Sequence, residues 1–343
     1  MRHLLNTLFV TSEDIYLSLD GENVVASREK APVARYPLHT LSAILTFAYP
    51  GASPSLMGAC AQRGISLSFC TPRGKFLARV TGEANGNVLL RRTQYRAADD
   101  PAQSCAIAAS RGFGTVHNAR WSIERNRRDH GLRVDDQRLG EVSAQLKTLL
   151  PQLLRETELD SLRGLEGAGA TAYFGVFDQL ILGDRSVFCF ETRSRRPPLD
   201  PVNALLSFAY SLLSHDCTWA LESVGLDSYV GFLHRDRPGR SSLALDLMEE
   251  FRPCIADRFV LTCINNRIFQ ASDFTYRESG GVLLSESGRR TFLQRWQERK
   301  KDSLTHPFLG EKVPWGLVPY LQALLLARYL RGDLDAYPPF LWK

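Results

Sequence analysis

The chain has 343 residues, of which 44% are hydrophobic and 23% are charged. This composition is that of an ordinary globular protein, and the length allows two domains with hydrophobic cores. The longest apolar stretches, such as NALLSFAYSLL (203–213), fall far short of the roughly 20 residues that a membrane span needs, which excludes an integral membrane protein.

Charge and cysteine content indicate which ligands and which cellular compartment suit the protein. The formal net charge is +5, and only seven of the 42 basic residues are lysines. Arginine suits phosphate contacts, although a GC-rich genome would also explain the excess. The N-terminus lacks the pattern of a signal peptide, so we expect a soluble cytoplasmic protein. Seven cysteines without a CxxC pair favour buried free thiols over disulfides or a zinc site.

Residues 1–84 are predicted to form an antiparallel β domain. Short segments rich in Val, Ile, Thr and aromatic residues, such as IYLSLDG and ISLSFCT, are separated by Gly, Asp, Asn or Pro. One helix-like segment, SPSLMGACAQRG (53–64), interrupts the strands.

Residues 85–343 are predicted to form a larger all-α domain that carries the catalytic residues, which makes the fold class α+β. Apolar residues recur at helical spacing from this point on, with Pro151 as a helix start or a kink. Asp200 and Pro201 are the expected N-cap and first residue of a helix. Gly280-Gly281 is expected to form a hairpin turn within the domain.

The segment GFLHRDRPGRSSLALDLMEEFRP (231–253) combines a histidine with a pair of acids. His234 precedes a Pro-Gly turn, and Ser241 or Ser242 is expected to cap the helix that follows. Asp246 and Glu249 are three residues apart on that helix, which places their Cβ atoms about 5–6 Å apart on one face. Two carboxylates this close repel each other unless a cation or a proton intervenes.

A metal site needs a further ligand from elsewhere in the chain. Glu166 is the best candidate, because small residues surround this single acid in LRGLEGAGATAYF and let another helix or a nucleic-acid backbone come close. A Glu, a His and a later acid suit Mg²⁺ or Mn²⁺ with open water positions. The alternative is a structural histidine and a solvated acid pair bound to Arg252 or Arg258.

Two basic segments are candidates for phosphate contact. Arg193, Arg195 and Arg196 lie in the Pro-rich segment ETRSRRPPLDP. The segment RWSIERNRRDHGLR (120–133) would either follow a phosphate backbone or form a solvated helix face.

Three segments together resemble one family: RRPPLDPVNALLSFAYSLL, ALESVGLDSYVGFLHRDRPGRSSLALDLMEEFRPCIADR and YLRGDLDAYPPFLWK. They look like CRISPR-associated protein one, the adaptation endonuclease and integrase, in the branch that accompanies type I-C systems. The resemblance covers essentially the whole chain. It implies an N-terminal β domain, a larger helical domain, and homodimers that flank a dimer of a small partner subunit. It also implies insertion of captured double-stranded DNA into the CRISPR repeat array.

The resemblance also implies catalytic residues. The family's metal ligands fall on Glu166, His234 and Glu249, which would bind Mg²⁺ or Mn²⁺. The third position is often aspartate in other branches of the family, which leaves Asp246 as the alternative ligand or as a nearby support.

Further residues are carried over as supporting candidates. Asn203 and Tyr210 lie in a motif typical of the family, so they are candidates for supporting the site or for facing DNA. Arg252 joins the three arginines of the Pro-rich segment as a DNA-binding candidate.

The expected reaction is metal-assisted phosphodiester transesterification, in which a 3′-hydroxyl of the incoming DNA attacks a phosphorus in the repeat. One alternative is a free-standing metal-dependent nuclease that cuts branched or single-stranded DNA. Another is a DNA-binding scaffold without chemistry, whose acids serve only as partners of arginine.

Overall fold

The computed structural model describes residues 6–71, 76–80, 82 and 88–343. By its contacts the chain divides into two compact units, Met1–Gly86 with Arg290–Asp302, and Asn87–Arg289 with Ser303–Lys343. A β region precedes a mostly helical part, as the sequence predicts. The predicted boundary between residues 84 and 85 lies outside the described residues.

The first unit contains two sheets and helix α1, and it also includes residues 290–302 from later in the chain. Their bounds are β1 (Asn6–Val10), β2 (Tyr16–Asp20), β3 (Asn23–Arg28), β4 (Ala31–Pro37), β5 (Leu41–Thr46), α1 (Pro54–Arg63), β6 (Ser66–Cys70) and β7 (Phe76–Val80). Strands β2, β3 and β4 form an antiparallel sheet, and the other four form a second sheet in the order β1-β5-β6-β7. Leu17, Leu56 and Leu67 are fully buried in the core of this unit.

The second sheet corrects the expectation of a purely antiparallel domain. Strands β1 and β5 pair in parallel, as do β5 and β6, whereas β6 and β7 are antiparallel. Helix α1, at the predicted position, connects β5 to β6. Such a crossover returns the chain in the same direction, which a hairpin does not do.

The second unit is helical with two short hairpins. Its elements are α2 (Val88–Asp99), α3 (Pro101–His130), α4 (Asp136–Arg155), α5 (Leu159–Phe174), α6 (Pro201–Ser223), α7 (Ser242–Glu249), α8 (Arg258–Asn265), β8 (Phe274–Tyr276), β9 (Val282–Leu284), α9 (Glu286–Lys301, which passes into the first unit at Arg290), β10 (Ser303–Thr305), β11 (Lys312–Pro314) and α10 (Val318–Leu330). The expectation of an all-α domain is corrected by these hairpins. The turn predicted at Gly280-Gly281 is confirmed, with Gly280 in the left-handed region at φ 77°.

Two long helices position α7. Helix α3 packs against α4, α5 and α7, and α6 packs against α7 and α10. The predicted cap of α6 is confirmed, because the Asp200 carboxylate accepts a hydrogen bond from the Asn203 amide at 2.7 Å. Pro151 lies inside α4. This helix ends at Arg155, beyond the proline, and α5 begins at Leu159.

A π-helical turn, Arg252–Asp257, follows α7 closely and leads directly into α8. Such turns are rare in proteins and are frequent at functional sites. Here the turn places Arg252 and Asp257 near the same ring, that of Tyr210 in α6.

The cysteines follow the sequence prediction in large part. All seven are thiols rather than disulfides, and six are buried, whereas Cys189 is exposed. Within the described ranges, no helix is both long enough and apolar enough to cross a membrane.

Candidate metal centre

The buried carboxylate of Asp246, in α7, gathers the loop that carries His234. Its Oδ2 accepts hydrogen bonds from the amides of Phe232 at 2.7 Å and Leu233 at 3.0 Å. Its Oδ1 lies 3.0 Å from the amide nitrogen of His234 and 2.6 Å from the Nδ1 atom of the same residue. Three consecutive amides and one imidazole therefore converge on a single carboxylate.

Gly231 makes this convergence possible. A Cβ atom at this position would lie 2.9 Å from the His234 carbonyl oxygen, 2.9 Å from the Cβ atom of Ser242 and 3.0 Å from Oδ2 of Asp246. Only glycine tolerates an approach this close. The predicted serine cap is not formed, because the Ser241 side chain makes no cap hydrogen bond and Ser242 Oγ instead donates to the Arg235 carbonyl.

The charge of Asp246 fixes which imidazole nitrogen is available. Burial alone would raise the pKa of Asp246, but the hydrogen bond from His234 and the positive charge of Arg111 outweigh it, so the pKa is lowered. An ionised Asp246 accepts a hydrogen bond from Nδ1 of His234. The ring then presents Nε2, the arrangement that metal-binding histidines commonly use.

Glu166, in α5, is a partly buried acid whose charge requires a cation or a proton for balance. Its Oε1 atom is buried and has no hydrogen-bond partner within the described part of the chain. Burial first, and then the charges of Glu249 and Asp246, raise the pKa of Glu166 to about 8, against the opposing charges of Arg252 and Arg163.

Arg163 joins the helix of Glu166 to the loop of His234. Its Nε and Nη2 atoms donate to the Leu233 carbonyl oxygen at 3.0 and 2.8 Å. This contact brings together two segments that are 68 residues apart in sequence. Sequence reasoning missed Arg163, although its position one turn before Glu166 places both on one helix face.

Glu249, at the end of α7, is paired with Arg252. Nη1 of Arg252 lies 2.6 Å from Oε1 and 2.7 Å from Oε2 of Glu249. The same guanidinium lies 4.9 Å from the ring centroid of Tyr210, whose hydroxyl donates to Asp257 at 2.6 Å. Tyr210 therefore supports the cation that holds Glu249.

Across the described ranges, no group of three or more His, Cys, Asp and Glu side chains is already arranged to hold a metal ion. In the same structure Arg252 neutralises Glu249. The donor types nevertheless fit a divalent cation, because the unpartnered oxygen of Glu166 is buried among like charges and His234 presents Nε2.

Asn203, in the first turn of α6, and Arg193, in the segment before it, form a hydrogen-bond network. Asn203 Oδ1 accepts from Arg193 Nη1 at 2.6 Å and from the Ser194 amide at 3.0 Å, and its Nδ2 donates to the Thr192 carbonyl at 2.8 Å. The Arg193 guanidinium also lies 5.1 Å from the ring centroid of Tyr210. Both side chains thus hold the basic segment in place.

Arg195 and Arg196, by contrast, are exposed. In the other basic segment, Arg120 and Arg127 both lie near Glu124, at 3.6 and 3.3 Å, which neutralises part of that helix face. The exposed pair is therefore the better placed for phosphate contact.

Comparisons with known proteins, made by family model, by sequence and by structure, all match one family. The family model described as CRISPR associated protein Cas1 matches residues 8–298. The "CRISPR-associated endonuclease Cas1 1" of Chlorobaculum tepidum is 48% identical over 343 residues, which is 100% of both chains. The fold matches that of a casposase bound to an integration product, with TM-score 0.83 and 22% identity over 98% of this chain and 94% of that one. It also matches a chain of a Cas6-RT-Cas1–Cas2 complex, with TM-score 0.78 and 22% identity over 98% of this chain and 36% of that one. This chain belongs to the Cas1 family of CRISPR-associated endonucleases.

Proposed function

We propose that this endonuclease is a metal-dependent DNA integrase of CRISPR spacer acquisition, which joins captured double-stranded DNA to a CRISPR repeat. One observation carries the proposal. In a chain of the Cas1 family, Glu166 of α5 has a buried carboxylate oxygen without a hydrogen-bond partner among the described residues, and it lies near the charges of Glu249 and Asp246. Asp246 in turn is hydrogen-bonded to the imidazole of His234.

In this proposal Glu166, Glu249 and Nε2 of His234 hold Mg²⁺ or Mn²⁺. When bound, the ion supplies Lewis-acid stabilisation of the charge that develops on the phosphate and on the attacking or leaving oxygen. The hydrogen bonds support Glu249 rather than Asp246 as the third ligand. Both oxygens of Asp246 are already occupied by the loop of His234, whereas the Glu249 carboxylate is paired with Arg252, which a metal ion could replace.

The surroundings of Glu166 leave room for DNA. A Cβ atom built at Gly164 or at Gly167 would meet nothing within 4 Å, whereas one at Gly169 would lie 3.0 Å from Val116 in α3. We propose that a phosphate backbone approaches this open side of α5. Arg195 and Arg196 would supply sequence-tolerant phosphate contacts, and Arg252 lies next to the ligands as a further candidate.

We also propose that the chain forms a homodimer in the cytoplasm and assembles with a small partner subunit. The support is the likeness in fold to the Cas1-containing chain of a complex with Cas2. The type I-C branch rests on the sequence motifs quoted above.

The test combines the protein, its small partner, DNA duplexes with 3′-hydroxyl ends and a supercoiled plasmid that carries a repeat. We expect strand joining with Mg²⁺ or Mn²⁺ that EDTA abolishes and that Glu166→Gln, His234→Ala and Glu249→Gln each remove. Glu141→Gln, an exposed glutamate on α4, is the matched control and should retain activity. Cleavage without joining would indicate the free-standing nuclease. No reaction with either metal would indicate the scaffold.

A further inference from the structure

Residues 337–343, here named the 337–343 strap, contact Glu250 and Phe251, the two residues that follow α7. Tyr337 and Phe340 are 2% and 0% exposed. The Phe340 ring packs edge-on against Phe251, which follows α7, and against Trp315. The strap is therefore part of the interior, and its inner face lies beside the end of the helix that carries Glu249.

Glu250, the residue that follows α7, binds the strap. Its carboxylate is fully buried, and Oε1 accepts a hydrogen bond from the Tyr337 hydroxyl. Oε2 accepts from the Phe340 amide at 2.7 Å. Both oxygens of this buried acid are thus occupied by the strap, one residue along the chain from the candidate ligand Glu249.

The backbone of the same residue is fixed by Asn118 of α3. Nδ2 of Asn118 donates to the carbonyl oxygens of Glu250 and Phe340, both at 2.7 Å, and Oδ1 accepts from the Trp342 amide at 2.9 Å. Gly114, one turn earlier in α3, leaves room for this arrangement, because a Cβ atom there would lie 3.1 Å from Pro339 and 3.4 Å from Glu250. One side chain therefore ties α3, the end of α7 and the strap together.

Arg111 connects the strap to the other acid of α7. It is 3% exposed, and its three guanidinium nitrogens have no hydrogen-bond partner among the residues that the structure describes. Its Nη1 lies 3.9 Å from Oδ2 of Asp246, and its guanidinium carbon lies 5.3 Å from the centroid of the Tyr337 ring. Its charge also acts on Glu250. Tyr337 thus covers the buried cation that balances Asp246 and Glu250.

We propose that the 337–343 strap is a positioning element of the candidate metal site. Tyr337 and Phe340 fix the end of α7 through Glu250, and Tyr337 keeps Arg111 shielded from water against Asp246. Tyr337 and Glu250 are therefore positioning residues, which act on the proposed ligands through the end of α7. The inference rests on the proposed function, since it concerns the same ligands.

The test compares two variants of the contact between Tyr337 and Glu250, here called the strap variants, with two controls in the full chain. Tyr337→Phe removes only the hydroxyl that Glu250 accepts, and Glu250→Gln keeps the shape but removes the charge. Lys343→Ala changes the outer end of the strap, where Nζ lies 5.6 Å from the Trp121 ring centroid. Leu139→Ala opens a cavity at a fully buried position of α4 and controls for lost stability alone. Mn²⁺ affinity is measured by paramagnetic resonance titration, and backbone amide exchange is measured in peptides that cover 243–251.

We expect Tyr337→Phe and Glu250→Gln to weaken Mn²⁺ binding by about fivefold or more, because each leaves a buried polar group without its partner. We also expect both to speed amide exchange at 243–251, whereas Lys343→Ala and Leu139→Ala change neither quantity. Wild-type Mn²⁺ affinity and exchange in both strap variants would overturn the inference. Failure of the wild-type chain to bind Mn²⁺ would instead overturn the proposed function. In that case the exchange data would still test the role of the strap, because unchanged amide exchange at 243–251 in both variants would refute it.

Discussion

Nδ1 of His234 and Oδ1 of Asp246 lie 2.6 Å apart, and the carboxylate is fully enclosed while the imidazole is partly exposed. The carboxylate therefore determines the tautomer and the orientation of the ring from the protein side. The opposite edge of the imidazole, which carries Nε2, remains available to bind a metal ion. This division of roles leads to the first prediction.

Asp246→Asn is expected to lower Mn²⁺ affinity and strand joining by about 10- to 100-fold, the usual effect of removing the partner of a metal-binding histidine. The amide would no longer accept four hydrogen bonds, so the loop of His234 would also loosen. Paramagnetic resonance titration measures the Mn²⁺ affinity, and the joining assay measures strand joining. Asp129→Asn, an exposed aspartate of α3, is the control, and equal activity of both variants would contradict the prediction.

Glu166 is expected to lose a proton when a metal binds. Its pKa is raised to about 8, so the metal-free carboxyl group is largely protonated at pH 7 and must ionise in order to bind a cation. Metal affinity should therefore rise with pH up to about 8 and then level. Titration calorimetry in buffers of different ionisation enthalpy measures the released proton. Proton release that persists in Glu166→Gln would assign the proton to another group.

Gly231→Ala is expected to lower the free energy of unfolding by about 1–3 kcal/mol, because the new methyl group would press on backbone and on Asp246. Gly164→Ala is the matched control on α5. Its Cβ meets no atom within 4 Å, so it should raise stability by about 0.5–1 kcal/mol as a helical alanine. Urea unfolding measures both changes. A Gly231→Ala chain as stable as the wild type would show that the loop adjusts freely.

Asp257 is expected to make the metal-free protein less stable as the pH rises. Burial raises its pKa from 3.8 to about 7 despite the hydrogen bond from Tyr210 and the charge of Arg252. Between these two pH values the folded state binds the proton and the unfolded state does not. The contribution of Asp257 to stability is therefore lost as the pH rises from about 4 to about 7.

Asp257→Asn removes this titration and keeps an acceptor for the Tyr210 hydroxyl. Relative to the wild type, the variant should gain more than about 1 kcal/mol of unfolding free energy between pH 5 and pH 8. Urea unfolding in EDTA at both pH values provides the measurement. Parallel pH profiles of the two proteins would refute the assignment.

Local signals were sufficient for much of the fold. The Asp200-Pro201 cap, α1 and the turn at Gly280 all depend on a few adjacent residues, and each formed as predicted. The parallel pairing of β5 with β6 did not follow from local pattern, because pairing direction depends on the path of the connecting helix.

The candidate site shows the same limit. His234 and the two acids of α7 are close in sequence, so their proximity in the fold could be anticipated, although the hydrogen bond from His234 to Asp246 was not predicted. Arg163, which joins α5 to the loop, and Arg111, which lies behind Asp246, could not. Their roles depend on long-range packing, and nothing in their own neighbourhoods distinguishes them from other arginines in an arginine-rich chain.

The π-helical turn at Arg252–Asp257 constrains changes in chain length. A π-turn carries about one more residue than an α-turn, so loss of one residue would restore regular helical geometry. Everything beyond the deletion would rotate by about 100° about the helix axis relative to α7. Asp257 would then turn away from Tyr210 while Glu249 stayed in place. We therefore expect this stretch to accept neither an insertion nor a deletion.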